Sequence, residues 1–152
     1  MAQWITHSPQ ETEQLGERVA ALLSGGEVLA FSGGMGMGKT VFTRGLARGL
    51  GASSAVSSPT FTIVREYAGR VPIYHFDMYR ITGWDDLYSC GFFDYLDGDG
   101  VLVVEWSENV EDALPAETIR IAVSRGEAEN DRVFEISGLP GLDSQAKEES
   151  VQ

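Results

Sequence analysis

A glycine-rich segment at residues 33–40, with the sequence G-G-M-G-M-G-K-T, constrains the fold of this chain more than any other feature. It follows the continuously apolar residues 28–31, a pattern typical of a strand that is buried on both faces. It precedes residues 40–50, whose pattern predicts a helix that stops at Gly51. A strand, a glycine loop and a helix in this order indicate an α/β domain in which the loop opens a helix.

The segment fits in full the pattern of a phosphate-binding loop, in which G and four further residues precede G-K-[ST]. Glycines allow successive backbone amides to point at a β-phosphate, while Lys39 reaches the β- and γ-phosphates and the Thr40 hydroxyl is a ligand for Mg²⁺. A chance glycine-rich turn is the alternative, but only two lysines occur in the chain and one stands at the required position. We expect the nucleotide to contact Gly36, Met37, Gly38, Lys39, Thr40 and Val41.

Length and composition predict one domain. The chain has 152 residues, of which 43% are hydrophobic, and this is enough for a single core. We assign residues 1–140 to this phosphate-loop domain and expect the polar, aperiodic residues 141–152 to form a disordered tail. A single cysteine allows no internal disulfide, and no apolar run approaches the length of a membrane span. We therefore expect a cytoplasmic protein with no membrane contact.

Charge is distributed unevenly along the sequence. The formal net charge is −12, yet residues 1–50 contain four acidic and four basic residues, whereas residues 101–152 contain twelve acidic and four basic residues. A broad nucleic-acid surface needs a positive patch, so this composition argues against one. We therefore expect a phosphate to bind within residues 1–50, where the charges balance, and to be held mainly by backbone amides.

Local patterns predict the remaining elements. Ser8 and Glu11 have the spacing of a capping box, with Pro9 at the first helical position, and the helix is expected to end near Ser24. Residues 84–90 read as a short helix capped by Thr82. Residues 61–67, 71–76 and 101–104 are strand-like, and residues 118–123 and 132–136 alternate as an antiparallel pair.

Two carboxylates are candidates for the chemistry. A phosphate-loop enzyme needs a carboxylate at the end of a second buried strand, where it holds Mg²⁺ and helps to orient the attacking water. Glu105 follows the apolar residues 101–104, and Asp77 follows residues 73–76. A purely structural role is the alternative for either, and Arg80 is the obvious ion-pair partner of Asp77.

Several neighbouring residues allow two interpretations. His75 stands in an apolar run and is better explained as a core or supporting residue than as a base. Trp106 follows Glu105 and is compatible with either packing or gating of a nucleotide site. A tight group of aromatic residues is compatible with either a core or a partner-binding face, and its members are Trp84, Tyr88, Phe92, Phe93 and Tyr95.

With these residues identified, the sequence resembles the TsaE (YjeE) family, small bacterial ATPases of the machinery that makes threonylcarbamoyladenosine in tRNA. The resemblance spans roughly residues 12–135 and rests on L-G at residues 15–16, G-M-G-K-T at 36–40, S-P-T-F-T at 58–62, H-F-D-M-Y-R at 75–80 and V-E-W-S-E at 104–108. Phosphate loops are widespread, whereas this succession of motifs is specific to the family. The loop departs from the family pattern at Gly34, Met35 and Met37, where the family more usually has Asp, Leu and Ala.

The resemblance implies a mixed central sheet with helices on both faces. It implies that Lys39 and Thr40 bind phosphate and Mg²⁺, that Glu105 is a second metal ligand or catalytic carboxylate, and that Asp77 acts near the metal. It implies that Thr60 and Thr62 lie in a switch segment that senses the γ-phosphate. Two weaker transfers place Pro9 and Arg132 near the nucleotide.

The resemblance also implies a function: ATP hydrolysis together with two partners, TsaB and TsaD, which transfer a threonylcarbamoyl group to adenosine 37 of certain tRNAs. This chain would then act on tRNA indirectly. Two alternatives remain open at this point, a small-molecule kinase with a phosphate loop and a nucleotide-sensing module with little hydrolysis.

Overall fold

The computed structural model describes residues 2–32, 38–52 and 64–142, which form one seven-stranded sheet flanked by helices. The strands are β1 (Ala2–Thr6), β2 (Val28–Ser32), β3 (Val64–Ala68), β4 (Pro72–Asp77), β5 (Val101–Glu105), β6 (Ile119–Arg125) and β7 (Arg132–Ser137). The helices are α1 (Pro9–Ala20), α2 (Lys39–Gly49), α3 (Trp84–Ser89) and α4 (Phe92–Leu96), with a 3₁₀ segment at Ser107–Ala113. Within these residues, no helix is both long and apolar enough to cross a membrane.

The strand order is β1-β7-β6-β2-β5-β4-β3. The four central strands β6, β2, β5 and β4 are parallel, while β7, β1 and β3 add antiparallel pairs at the two edges. The sheet is therefore mixed, as predicted, and the expected terminal antiparallel pair is β6 and β7.

The two faces of the sheet carry separate apolar cores. On β2, Leu29 and Phe31 pack with side chains of α1 and α2, whereas Val28 packs with side chains of α3, α4 and the 3₁₀ segment. Because alternate side chains of one strand point to opposite faces, a strand that is covered on both faces, such as β2 or β5, is apolar along nearly its whole length. This explains the continuous apolar runs in the sequence and confirms that helices cover both faces.

Helix α1 begins where the sequence predicts. The Ser8 side chain accepts a hydrogen bond from the Glu11 backbone amide at 3.2 Å, and Pro9 occupies the first turn. Helices α1 and α2 then pack so closely that a Cβ at Gly16 would overlap the backbone of α2, and one at Gly45 would overlap the backbone of α1. Glycine is thus required at this helix crossing.

Strand β1 was not predicted. Its side chains alternate in exposure, but Ile5 is exposed while Thr6 is buried, so its apolar pattern does not follow its burial. Every residue of β1 pairs with a residue of β7, and this pairing determines the strand. A search for local sequence patterns does not detect such a distant partner. Helix α4 and the 3₁₀ segment, both very short, were also not predicted.

The predicted helix boundaries need two corrections. Helix α1 ends at Ala20, four residues before the expected end, because the next turn tightens through hydrogen bonds of 3₁₀ type. Helix α3 is not capped by Thr82. Its N-cap is Gly83, and the Thr82 amide and hydroxyl instead donate to the Asp86 carboxylate at 3.0 and 2.9 Å, which lowers the pKa of that carboxyl group.

The domain extends slightly beyond the expected boundary at residue 140. Leu139 and Leu142 are both buried in the core that α1 and α2 cover, and Leu142 is fully inaccessible. Residues 141 and 142 therefore belong to the domain, because an apolar side chain two residues into the expected tail completes the core. The rest of that tail, residues 143–152, lies outside the described residues, as do the predicted strand residues 61–63.

Removal of residues 143–152 is expected to change the melting temperature by no more than about 2 °C, because the segment is polar and has no apolar periodicity. The matched control is Leu142→Ala in the full chain, which leaves a cavity in the core and should lower the melting temperature by about 5 to 10 °C. Scanning calorimetry measures both changes. A large drop on truncation would mean that the removed segment is docked on the domain.

Candidate functional site

The carboxyl ends of three neighbouring parallel strands form one edge of the sheet. Strand β2 ends at Ser32 and leads into the glycine segment, while its neighbour β5 ends at Glu105 and the next strand, β4, ends at Asp77. In open α/β sheets, ligands bind beyond the carboxyl ends of the strands. The loop end of β2 and both candidate carboxylates therefore share the edge at which a ligand is expected.

The start of α2 has the features expected after a phosphate-binding loop. Gly38 is the N-cap, with φ of +93°, a backbone conformation that favours glycine. Lys39 is the first helical residue and only 7% exposed. A Cβ on Gly38 would lie 3.8 Å from Cγ of Arg132 and 4.0 Å from Cγ2 of Thr12. The structure thus brings Arg132 to the loop end, next to the amide-rich start of a helix.

Thr40 and Val41 occupy the first turn of α2, and both side chains are half-buried. Gly36 and Met37, which complete the predicted loop, lie outside the described residues, as do Thr60 and Thr62 of the predicted switch segment. The described part of the loop is thus its carboxyl end.

Trp106 connects the end of β5 with the start of α2. Its ring lies below the ammonium group of Lys39, with Nζ 5.6 Å from the ring centroid, within the range of a cation–π interaction. The same ring contacts Tyr79 at 4.9 Å between centroids. Among the described residues, Trp106 is the one non-glycine residue with positive φ, at 59°. Such a backbone conformation costs energy and is concentrated at functional sites.

Glu105 and Asp77 are direct neighbours across the sheet, since they are register partners on the parallel strands β5 and β4. The backbone carbonyl of Glu105 also accepts a hydrogen bond from the backbone amide of Met78 at 3.0 Å. Asp77 Oδ1 accepts from the Tyr79 amide at 3.0 Å. An ion pair between Asp77 and Arg80, the structural alternative, is not formed among the described residues.

His75 supports Glu105 from within the sheet. Its side chain is fully buried, and Nε2 lies 2.5 Å from Oε2 of Glu105, whose own side chain is 12% exposed. A carboxylate accepts hydrogen bonds, so we assign Nε2 as the donor in this contact. His75 therefore orients Glu105, in agreement with the supporting role expected from the sequence. Its other ring nitrogen, Nδ1, is buried without a hydrogen-bond partner among the described residues.

Two further polar residues, which the sequence patterns did not single out, fix the chain after β5. Ser107 is buried, and its hydroxyl donates to the carbonyl of Phe31 on β2 at 3.0 Å. The Asn109 side chain donates to the carbonyl of Met78 after β4 at 2.9 Å. These bonds tie the segment that contains Trp106 to the ends of both neighbouring strands. The V-E-W-S-E motif includes Ser107 and was the available signal for it.

A polar contact joins the loop before α1 to the turn between β6 and β7. His7 Nδ1 lies 2.8 Å from Oδ1 of Asp131, and the hydrogen bond raises the pKa of His7 and lowers the pKa of Asp131. Arg132, the first residue of β7, donates from Nη1 to the carbonyls of Glu129 and Asp131 in this turn, both at 2.8 Å. Pro9 starts α1 two residues after His7, so the structure brings Pro9 and Arg132 to adjoining segments.

The His7 contact predicts a pH-dependent stability difference. The raised His7 pKa stabilises the fold below the ordinary value of 6.5, and this contribution disappears as the pH rises through the folded pKa. The lowered Asp131 pKa stabilises it above 3.8, and this contribution disappears as the pH falls through the folded pKa. The melting temperature of His7→Gln should thus fall below wild type by about 1 to 2 °C near about pH 5.

At about pH 9 the His7→Gln variant and the wild type should melt together, because the imidazole is neutral in both the folded and the unfolded chain. Asp131→Asn is the comparison variant and should keep a deficit at high pH, because the Asp131 carboxylate also accepts a hydrogen bond from the Ala128 amide at 3.2 Å, which does not depend on the charge of His7. Thermal melts across this range measure the difference. An equal difference at both pH values would contradict the assigned ion pair.

Metal-ligating side chains are sparse at this edge. Within residues 2–32, 38–52 and 64–142, no three His, Cys, Asp or Glu side chains converge as a metal site. The oxygen donors predicted for this edge are the hydroxyl of Thr40, in the first turn of α2, and the carboxylates of Glu105 and Asp77, at the ends of β5 and β4. Mg²⁺ is commonly bound through one or two such protein oxygens together with substrate phosphates and water, so this donor set fits that ion.

Comparison with known proteins agrees with the fold and the motifs. The model of the family described as "Threonylcarbamoyl adenosine biosynthesis protein TsaE" matches residues 6–134. The TsaE protein of Bacillus subtilis is 42% identical over 137 residues, which cover 89% of this chain and 85% of that relative. The TsaE protein of Treponema pallidum is 40% identical over 119 residues, covering 78% of this chain and 88% of the relative.

A solved structure has the same fold. The crystal structure of YdiB from Bacillus subtilis matches this chain with a TM-score of 0.72 and 34% sequence identity, over 97% of this chain and 91% of the other. The residues matched by the family model include both candidate carboxylates and the start of α2. By sequence and by fold, the chain belongs to the TsaE family of threonylcarbamoyladenosine biosynthesis proteins.

Proposed function

We propose that this chain is a magnesium-dependent ATPase whose hydrolysis is stimulated by a TsaB–TsaD pair and supports threonylcarbamoyl transfer to adenosine 37 of tRNA. Family membership gives the role in threonylcarbamoyladenosine biosynthesis. The observation that carries the ATPase proposal is the arrangement at the sheet edge. Glu105 is held by His75, and the next residue, Trp106, lies against Lys39 at the start of the helix that follows the loop.

In this proposal, the loop and α2 bind ATP. The backbone amides of Gly36, Met37 and Gly38 are assigned to the phosphates, and the ammonium group of Lys39, a buried residue, would neutralise charge on the β- and γ-phosphates. An interaction with a buried cation is stronger than one in water, because the surroundings screen it less. The remaining nucleotide contacts are assigned to Thr40, Val41, Pro9 and Arg132.

The carboxylates act at the γ-phosphate. Thr40 and Glu105 would hold Mg²⁺, which neutralises the charge that develops on the phosphoryl oxygens. Glu105, fixed by His75, also orients the water that attacks phosphorus as the bond to the β-phosphate oxygen breaks. Asp77, the register partner of Glu105 on β4, is assigned a role near the metal. Thr60 and Thr62 are assigned to a switch segment that responds to the γ-phosphate.

The proposed action on tRNA is indirect and cytoplasmic. The net charge of −12 opposes a broad contact with the phosphate backbone. TsaB and TsaD are thus the proposed direct partners, and the family's role in tRNA modification fits a location in the cytoplasm.

The test of this function separates an ATPase from a small-molecule kinase. Purified chain is incubated with ATP and Mg²⁺, with and without a mixture of cell metabolites, and the products are resolved by phosphorus NMR. We expect inorganic phosphate in both samples. A phosphorylated metabolite formed at a comparable rate in the absence of any protein partner would contradict the ATPase assignment and favour a kinase.

A further inference from the structure

An aromatic surface formed by Trp84, Tyr88 and Phe93 lies on helices α3 and α4, and nothing in the catalytic proposal uses it. Trp84 is 49% exposed and Tyr88 is 68% exposed. Phe93 lies between them, stacked on the Trp84 ring at 5.7 Å and tilted against the Tyr88 ring at 4.9 Å. Adjacent large exposed rings are typical of binding surfaces, because tryptophan and tyrosine dominate the energetics of protein interfaces.

The aromatic surface is firmly supported from below. The Phe93 ring packs edge-on against Phe92 at 5.7 Å, and Phe92 packs edge-on against Phe76 at 5.3 Å. Phe92 and Phe76 are both fully buried. Rings that are already held in place lose little conformational entropy on binding, which favours affinity. The same stack reaches β4 immediately before Asp77, so the surface is in packed contact with the strand that carries a candidate carboxylate.

The charge of the sequence that contains the aromatic surface indicates the chemistry of its partner. Residues 71–119 contain eleven acidic residues and a single basic one, Arg80. Asp85 on α3 and Asp94 on α4 are both exposed and adjoin the rings in sequence. Acidic side chains repel nucleic-acid phosphates, whereas they pair with arginine and lysine, and guanidinium groups also stack on aromatic rings.

We propose that the aromatic surface docks a protein partner whose contact face presents arginine or lysine side chains around an apolar centre. Its rings supply the apolar contact, and Asp85 and Asp94 supply complementary charge at the rim. This inference rests on the proposed function for the identity of the partner, the TsaB–TsaD pair. Beyond the proposed function, the inference identifies the surface by which the chain binds that pair.

The test compares Trp84→Ala/Tyr88→Ala with wild type in the full chain. We expect the double variant to bind the purified TsaB–TsaD pair at least about tenfold more weakly and to lose stimulated hydrolysis. Its basal ATPase activity should stay within about twofold of wild type, because neither ring belongs to the proposed nucleotide site. The matched control is Ile5→Ala, which removes an exposed apolar side chain (53% exposed) on β1, an edge strand of the sheet. It should bind normally.

A charge reversal provides a second, independent variant. Asp85→Lys/Asp94→Lys should weaken binding of the pair at low salt, whereas Glu127→Lys, on the turn between β6 and β7, should not. Binding is measured by calorimetry, and melting temperatures verify folding of every variant.

The outcomes distinguish this inference from the proposed function. Normal binding of the pair by both the aromatic and the charge variants would overturn the docking surface and leave the proposed function standing. Failure of the wild type to bind the pair or to be stimulated by it would overturn both. Loss of tRNA binding in the aromatic variant, with pair binding unchanged, would overturn the inference by assigning the surface to nucleic acid.

Discussion

Replacement of Lys39 by alanine is expected to weaken ATP binding by at least about 100-fold, equivalent to about 2.7 kcal/mol. The reason is the position of the ammonium group, which is buried at the start of α2, directly after the N-cap Gly38. Arg132 approaches the same loop, but its guanidinium is engaged by two backbone carbonyls of its own turn. An arginine held in this way is not expected to replace the ammonium group at the β- and γ-phosphates.

Calorimetric titration with ATP and Mg²⁺ measures this effect. The matched control is Lys147→Ala, which removes the only other lysine of the chain and should bind ATP normally. A melting curve of Lys39→Ala verifies that the variant is folded. Affinity within about threefold of wild type would contradict the assignment of residues 33–40 as a phosphate-binding loop.

Replacement of Glu105 by glutamine is expected to separate binding from hydrolysis. The amide fills the same space, so ATP affinity should change by less than about threefold. Hydrolysis should fall by about 100-fold or more, because the variant lacks the negative charge that orients the water and contributes to the metal site. Single-turnover hydrolysis under saturating ATP measures the rate directly.

His75 provides an internal check of the Glu105 result. His75→Phe removes the donor to the carboxylate and should lower hydrolysis by about tenfold, with ATP binding retained, whereas His75→Gln keeps a donor and should recover part of the rate. Combined with Glu105→Gln, His75→Phe should cause little further loss, since both act on one group. Full hydrolysis by Glu105→Gln would rule out a catalytic role for this carboxylate, and loss of ATP binding instead would indicate a structural one.

The extent to which the sequence predicted this site has a physical explanation. Lys39 and Thr40 follow from a local pattern, and Glu105 follows from the end of an apolar strand, so short-range information was sufficient for them. The contact between His75 and Glu105 depends on the register of β4 and β5, which places Asp77 opposite Glu105 and His75 two residues earlier on the neighbouring strand. Parallel registers are set by non-local packing, and one sequence does not reveal them.

The elements of the fold likewise divide into those that a local sequence pattern predicts and those that depend on distant partners. The apolar runs of the sequence predict β2 and β5. Strand β1 instead depends on its pairing with β7, and the start of α3 is set by Gly83 because the Thr82 hydroxyl donates to Asp86. Trp106 was ambiguous because its sequence neighbours are compatible with packing and with function. The structure brings it against Lys39 as well as the core, and a gating motion of this ring stays a prediction.

The central claim is that this chain hydrolyses ATP slowly alone and faster with its partners. The most direct test is the steady-state rate of phosphate release from ATP and Mg²⁺, measured with and without the purified TsaB–TsaD pair. We predict an increase of about tenfold or more, corresponding to at least about 1.4 kcal/mol of barrier lowering, and no increase in Glu105→Gln. An unchanged rate in the presence of saturating partner pair would contradict the account.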